Sequence, residues 1–488
     1  MNPFEEARII ETRRQFLARG KNVLGMAALS SLLGESLFQQ AVSAAESQAM
    51  PHLPHFAPKA KNIIYLHMVG GPSQMDLYDH KPKMQEMYDK DLPESIRNGQ
   101  RLTTMTSGQS RFPIAPSAFK FSAAGQCGMM MNTELLPYTA QCADDICFVR
   151  SMNTDAINHE PAIVAMQTGN MQTGRPCLGS WVSYGLGSLN KNLPTFIVMV
   201  ATPTNREQEQ AISQRLWSAG YLPGQYAGVP FRTQGDPILY INNPPGVSSN
   251  VRRKMLDGLH ELNEMTSNAI GDVETQTRIQ QYEMAFRMQA SVPELTDFSK
   301  ENENVYKLYG EEARKPGSFA YSALMARRLV ERGVRFVQIY HNNWDHHGNL
   351  TGRMRSQCKD VDQATYGLIH DLKARGLFDE TLIIWGGEFG RTIYSQGGLT
   401  HDNYGRDHHP RCFTMWMAGG GSKGGTIFGE TDDFSYNIVK DPVHIRDFHA
   451  TVLHLLGIDH ERFTYKYQGL DQKLTGVEKA EVVKALLA

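Results

Sequence analysis

The sequence predicts an α/β protein with a doubly wound, mainly parallel sheet and helices on both faces. Three observations point there. Several runs of strand length are apolar almost throughout rather than alternating, which suits strands buried on both faces. Amphipathic segments of helix length lie between them. Two of those segments end at a glycine, and another apolar run follows within a few residues, which is the strand–helix–strand unit of a parallel sheet.

The elements follow in order. The first strand candidate is Asn62-Ile63-Ile64-Tyr65-Leu66-His67-Met68-Val69, ended by the turn signal Gly70-Gly71-Pro72-Ser73. Further strand candidates are Thr195–Val200, Ile238–Ile241, Phe336–Tyr340, Thr381–Trp385 and Phe413–Ala418. Residues 249–290 carry mixed charges with Met and Leu spacing, and predict one or two amphipathic helices. Ser318–Arg332 predicts a helix with Ser318 as N-cap and Gly333 just past its end. The segment 358–376 places Val361, Ala364, Leu368, Ile369 and Leu372 on one face and stops at Gly376. Residues 445–457 repeat the pattern and stop at Gly457. Sheets of this kind hold their chemistry in loops beyond the strand C-termini. The loops so placed are 70–76, 341–349, 386–392 and 401–410.

The N-terminus reads as a targeting segment. Thr12-Arg13-Arg14-Gln15-Phe16-Leu17 is followed by a mildly apolar stretch from Val23 to Phe38, then by Ala41-Val42-Ser43-Ala44-Ala45. That order of basic, apolar and small residues is a secretory signal, and the paired arginines resemble the twin-arginine type. Residues 1–45 are thus expected to be a signal peptide that engages the twin-arginine export machinery. The destination is periplasmic or extracellular. Gly25, Gly34 and Glu35 make the apolar stretch a poor permanent span, so no stable transmembrane segment is expected. Residues 46–61 read as a linker, 62–475 as the α/β domain, 202–300 as a helical insertion within it, and 476–488 as a C-terminal tail.

Bulk properties bound the rest. A chain of 488 residues allows two or three domains, or one large α/β domain with insertions. A formal net charge of -2 gives no basic face for nucleic acid. The six cysteines (127, 142, 147, 177, 358 and 412) form no Cys-x-x-Cys pair; an even count in an exported protein permits disulfides, but they read as buried thiols.

Two triplets carry the chemistry: Asp345-His346-His347 and Asp407-His408-His409. Seven of the chain's 17 histidines fall in the 69 residues from His341 to His409, where an even spread would give roughly 2.4. Histidine with carboxylate suits zinc, manganese or iron. In an extended loop Asp345 and His347 point to one side, and His346 points away toward a supporting or solvent position. Pro410 biases His409 toward extended geometry, so one of His408 and His409 is expected to face the cleft. Glu388, just after a buried strand, is a candidate metal ligand or base. Arg391 is a candidate clamp for an anionic substrate, with a Glu388–Arg391 ion pair as the structural alternative. In the first loop, Asp76 is a candidate ligand or cap, and Ser73 and His67 are candidate substrate-binding groups.

These motifs resemble the DUF1501 family of exported bacterial proteins, related to the sulfatases and alkaline phosphatases. The carrying residues are Gly70-Gly71-Pro72-Ser73 with Asp76, Trp344-Asp345-His346-His347, Gly387-Glu388-Phe389-Gly390-Arg391-Thr392 and Gly405-Arg406-Asp407-His408-His409-Pro410. Arg446-Asp447-Phe448-His449-Ala450-Thr451 resembles the C-terminal helix of sulfatase-like domains. The resemblance implies an alkaline phosphatase-like fold and a hydrolase of sulfate or phosphate esters, on small molecules or polysaccharides. It implies one or two divalent metals, zinc, calcium or manganese. Departures from the sulfatase pattern are specific. Val69 and Gly70 stand where sulfatases carry paired aspartates. His159 stands at the nucleophile position, in His159-Glu160-Pro161-Ala162-Ile163 leading to Thr168-Gly169. The late Asp-His or Asp-Asn pair becomes Glu388-Phe389. By this resemblance Asp345, His347 and either His408 or His409 form the more complete metal position, with His159 beside it as base or nucleophile. The alternative is a non-catalytic binding or assembly protein that keeps the fold.

Overall fold

A computed structural model describes residues 50 and 52–488, apart from 240, 271 and 272. The signal peptide and residues 46–49 and 51 of the expected linker lie outside the described residues. Among them a nine-stranded mixed sheet forms the centre of the fold. Its strands are β1 (Asn62–Met68), β2 (Ile146–Asn153), β3 (Phe196–Ala201), β4 (Val229–Pro230), β5 (Phe336–His341), β6 (Thr381–Gly386), β9 (Phe413–Ala418), β10 (Thr426–Phe428) and β11 (Val443–His444). The order is β10-β2-β9-β6-β1-β5-β3-β4, with β11 paired to the end of β2. All pairings are parallel except those of β9, which runs antiparallel to both β2 and β6. A separate antiparallel ribbon pairs β7 (Gly390–Ser395) with β8 (Arg406–His409).

The alternation of side chains explains why the strand sequences are continuously apolar. Along β1, Ile64, Leu66 and Met68 enter one buried cluster, while Ile63 and Tyr65 enter another on the opposite face. β6 divides likewise, with Ile383 and Trp385 on one face and Leu382 and Ile384 on the other. Helices α5 (Phe319–Glu331) and α6 (Leu350–Ala374) cover the first face. Helices α1 (His159–Thr168), α2 (Leu178–Leu186) and α7 (Ile445–Leu455) cover the second. Both faces need apolar residues, so neither can alternate with polar ones.

Local signals set the helix ends. Ser318 accepts a hydrogen bond from Tyr321 N at 2.9 Å and caps α5, a contact worth about 1 kcal/mol. α7 begins with a capping box between His444 and Asp447. The segment 249–290 becomes two helices, α3 (Ser249–Ile270) and α4 (Val273–Thr296), the latter containing Pro293.

Four expectations change. Residues 238 and 239 form a bend and a turn and 241 has no regular structure, so no strand forms there. Leu239 is exposed, and the neighbouring edge position is taken by the two-residue β4. α6 starts at Leu350, eight residues before its expected start, because Met354 and Leu350 extend the same buried face. β2, with Arg150 and Asn153 among its apolar residues, was not expected from the sequence. The C-terminal tail packs onto the domain: Leu486 is fully buried, and Lys423 N donates to Leu486 O at 2.8 Å. The six cysteines are free thiols, five of them buried.

Candidate metal centre

The C-terminal ends of β1, β5 and β6 lie side by side, and the chain arriving at the N-terminus of antiparallel β9 meets them there. The loops that follow or precede these ends carry the site. Gly70, with φ +115°, lets the turn after β1 press against the loop after β5; a Cβ there would lie 2.5 Å from Asp345 N. Gly405 serves the ribbon in the same way, since a Cβ would meet His347 O at 2.0 Å.

The loop after β5 is fixed before it reaches Asp345. Trp344 is fully buried; its N donates to Val69 O at 3.0 Å and its Nε1 to His341 Nδ1 at 3.0 Å. Gln357 donates to the carbonyls of Asn342 and Asn343. Asp345 and His347 then converge, and His346 points away, as the extended spacing predicted. His346 is not at the surface, however. It is buried, its Nε2 donates to Asn343 O at 3.1 Å, and burial pulls its pKa down to about 3.

The same period of two resolves the second triplet. In β8, His408 faces Asp345, while Asp407 and His409 face the other side. Asp407 accepts from the hydroxyls of Thr103 and Thr106. His409 donates from Nε2 to Tyr436 O at 2.7 Å and lies 3.1 Å from Gln100 Nε2 through Nδ1.

Among the described residues, one group of His and carboxylate side chains could hold a metal ion: His159, Asp345, His347 and His408, with one atom from each inside a 4.8 Å span. From Asp345 Oδ1, the Nε2 atoms of His347, His159 and His408 lie at 2.7, 3.1 and 3.5 Å. A tetrahedral ion with bonds of about 2.0–2.1 Å spaces its ligand atoms roughly 3.3–3.4 Å apart. Each imidazole is held from behind through Nδ1: His159 by Glu388 Oε1 at 2.6 Å, His408 by Ile157 O at 2.8 Å, and His347 by Gln396 Oε1. A proton on Nδ1 leaves a lone pair on Nε2. The Nε2 atoms of His347 and His408 then face one another at 3.2 Å, lone pair to lone pair. His159 Nε2 is buried with no hydrogen bond of good geometry. These observations fit a cation.

The remaining expected residues take other places. Arg391 is 1% exposed and its guanidinium is spent on its surroundings. It donates to Gly71 O at 2.9 Å, Arg406 O at 3.1 Å, Gly70 O, and Asp345 Oδ1 at 2.6 Å. It thus orients Asp345 and does not pair with Glu388. Burial would raise the Asp345 pKa, but the Arg391 guanidinium beside it outweighs this and holds the carboxyl far below the usual carboxylate range. Glu388 accepts from Gly70 N at 2.9 Å and holds His159 rather than entering the cluster. Asp76 is buried against Arg406, 2.7 Å away, and accepts from Ser73 Oγ at 2.6 Å, so both are structural in their contacts. His67 is buried, its Nε2 3.8 Å from Glu388, and burial lowers its pKa to about 4. His159 lies between two carboxylates, Nδ1 2.6 Å from Glu388 Oε1 and Nε2 3.1 Å from Asp345 Oδ1.

Sequence reasoning missed three supports. Gln396, the carbonyl of Ile157, and Gln210, which donates to Asp345 Oδ2 at 2.9 Å, lie in segments without a motif, and nothing in their spacing marks them. Solvent reaches the cluster past His347, whose side chain is 15% exposed. There it lines a cleft of about 440 Å³ with Gln396, Asn349, Thr400, Asn403 and Tyr404.

The chain matches the family described as "Protein of unknown function (DUF1501)" over residues 60–487, and belongs to it. No curated protein matches the chain. Among solved structures, it is similar to the PsFucS1 sulfatase from Pseudoalteromonas sp., at 13% identity over 93% of this chain and 76% of that one, with a TM-score of 0.33. It is also similar to the alkaline phosphatase of the Antarctic bacterium TAB5, at 11% identity over 82% and 98% of the two chains, with a TM-score of 0.32. A phosphonate monoester hydrolase from Silicibacter pomeroyi aligns at 10% identity over 72% and 71%, with a TM-score of 0.30. Likenesses this distant carry no argument about activity.

Proposed function

We propose that this DUF1501 protein is an exported, metal-dependent hydrolase of sulfate or phosphate esters with one cation held by His159, Asp345, His347 and His408. The observation that carries this reading is the pair of Nε2 atoms facing at 3.2 Å beside an ionised, Arg-bound carboxylate. Three imidazole nitrogens and one carboxylate suit zinc or manganese; calcium takes oxygen ligands, so it is set aside. A bound divalent cation supplies Lewis acidity to an ester oxygen and makes water a better nucleophile at neutral pH.

The chain's own residues do the rest. Glu388 keeps the His159 proton on Nδ1, Gln396 and Ile157 O do the same for His347 and His408, and Arg391 keeps Asp345 ionised. Ser73 is committed to Asp76, so water is the nucleophile. Hydrolysis then adds water across the S–O or P–O ester bond and yields an alcohol and the inorganic anion. The cleft beside His347 admits the ester, whether of a small molecule or of a polysaccharide. Export through the twin-arginine machinery to the periplasm or beyond completes the reading. No helix among the described residues is long and apolar enough to cross a membrane.

A second reading, a periplasmic binding or assembly protein without turnover, is favoured by one observation: Arg391 is too fully bonded to hold an anionic ester. Elemental analysis of protein purified without chelator, followed by assay on aryl sulfates and aryl phosphates, separates the two. One metal per chain with turnover that chelation abolishes supports the hydrolase. Metal without turnover supports the second reading, and no metal uptake refutes the centre itself.

A further inference from the structure

Asp345 divides its carboxylate between two tasks. Oδ1 faces His159, His347, His408 and Arg391. Oδ2 accepts a hydrogen bond from Gln210 Nε2 at 2.9 Å. Gln210 belongs to a strap, residues 202–213, that leaves β3 and runs over the loop after β5. Amide side chains fasten that strap. Gln210 N donates to Asn342 Oδ1 at 2.9 Å, Asn342 Nδ2 returns a bond to Gln210 O at 2.7 Å, and Gln208 N donates to Asn343 Oδ1 at 2.7 Å. Thr204 N anchors the near end on Asp360 at 2.7 Å. The backbone of Gln210 is therefore fixed on both sides, and its half-buried side chain donates to Asp345 Oδ2.

We propose that Gln210 is a positioning residue that holds Asp345 as a one-oxygen ligand and so sets the coordination number of the centre. This rests on the reading of the cluster as a metal site. A carboxylate can bind a cation through one oxygen or two, and larger, harder cations take the two-oxygen mode readily. A donor on Oδ2 removes that option without adding charge. One-oxygen binding keeps the protein ligand atoms at four rather than five, so that water or substrate would enter as the fifth.

Cobalt(II) and zinc are the probes, loaded into the full chain after chelation. In the parent, cobalt should show the intense visible bands of a low-coordinate site. In Gln210→Met, which keeps the side-chain length and loses the donor, those bands should weaken. The zinc Kd should rise by roughly tenfold to hundredfold, as for other groups that hold a ligand from behind. Arg206→Ala, an exposed change on the same strap, should leave both unchanged. A Gln210→Met spectrum and zinc Kd equal to the parent's would overturn the assignment while leaving the metal centre intact. Failure of the parent to take up either ion would overturn the centre, and this assignment with it.

Discussion

His159 Nδ1 lies 2.6 Å from Glu388 Oε1, which ties the first residue of α1 to the turn after β6. The carboxylate is itself held by Gly70 N at 2.9 Å, so three separate chain segments meet at one proton. Glu388→Gln keeps the size and can still accept at Nδ1, but removes the charge that favours a basic imidazole. Metal affinity should fall roughly 10- to 100-fold, measured by competition with a chromogenic chelator. An unchanged Kd would mean that Glu388 only fills space.

The two histidines of the second triplet should separate cleanly. His408→Ala should lose the stoichiometric metal, since its Nε2 faces Asp345 and His347. His409→Ala should retain the metal and lose stability instead, because Tyr436 O is left without its donor inside the fold. The cost of such an orphaned acceptor is about 1–3 kcal/mol. Elemental analysis and urea unfolding of both variants check this. Metal loss from the His409 variant would reverse the assignment.

Asp76 and Arg406 form an ion pair in which both side chains are fully buried. Removing one partner of such a pair leaves a buried charge uncompensated, at about 3–5 kcal/mol. Arg406→Met should therefore destabilise by that order while Asp76→Asn leaves metal content at the parent's level. Chemical denaturation and metal analysis are the measurements. Metal loss on Asp76→Asn at retained folding would restore Asp76 as a ligand.

The fold was legible because its strands are buried on both faces and its helices end at glycines with left-handed backbone, such as Gly333 at φ +79° and Gly376 at φ +67°. Alternation also made the inward turn of Asp345 and His347 readable. It did not choose His408 over His409, because the register of β8 against β7 is set by pairing such as His408 with Arg391, which no local pattern encodes. Arg391 misled for a related reason. A guanidinium after a buried strand looks like a substrate clamp until the carbonyls of Gly70, Gly71 and Arg406 are seen to occupy it. Gln210 was invisible because its contact crosses 135 residues and its segment carries no motif.

Acid should unfold this protein in part through histidines buried neutral, of which His449 is one. It lies on α7, donates from Nε2 to Met166 O on α1 at 2.8 Å, and leaves Nδ1 without a partner. Burial lowers its pKa from 6.5 to about 4. The folded-state value is depressed, so the unfolded chain takes up a proton first as the pH falls. The stabilisation is complete above about pH 6.5, shrinks as the pH drops, and is lost by about pH 4. The full loss is roughly 3 kcal/mol for a shift of this size. His449→Gln keeps a donor for Met166 O and removes the titrating group. Urea unfolding of the metal-stripped protein at several pH values between 7.5 and 4 should then show a shallower loss of stability for the variant. Parallel curves for the two proteins would show that His449 plays no part in acid unfolding.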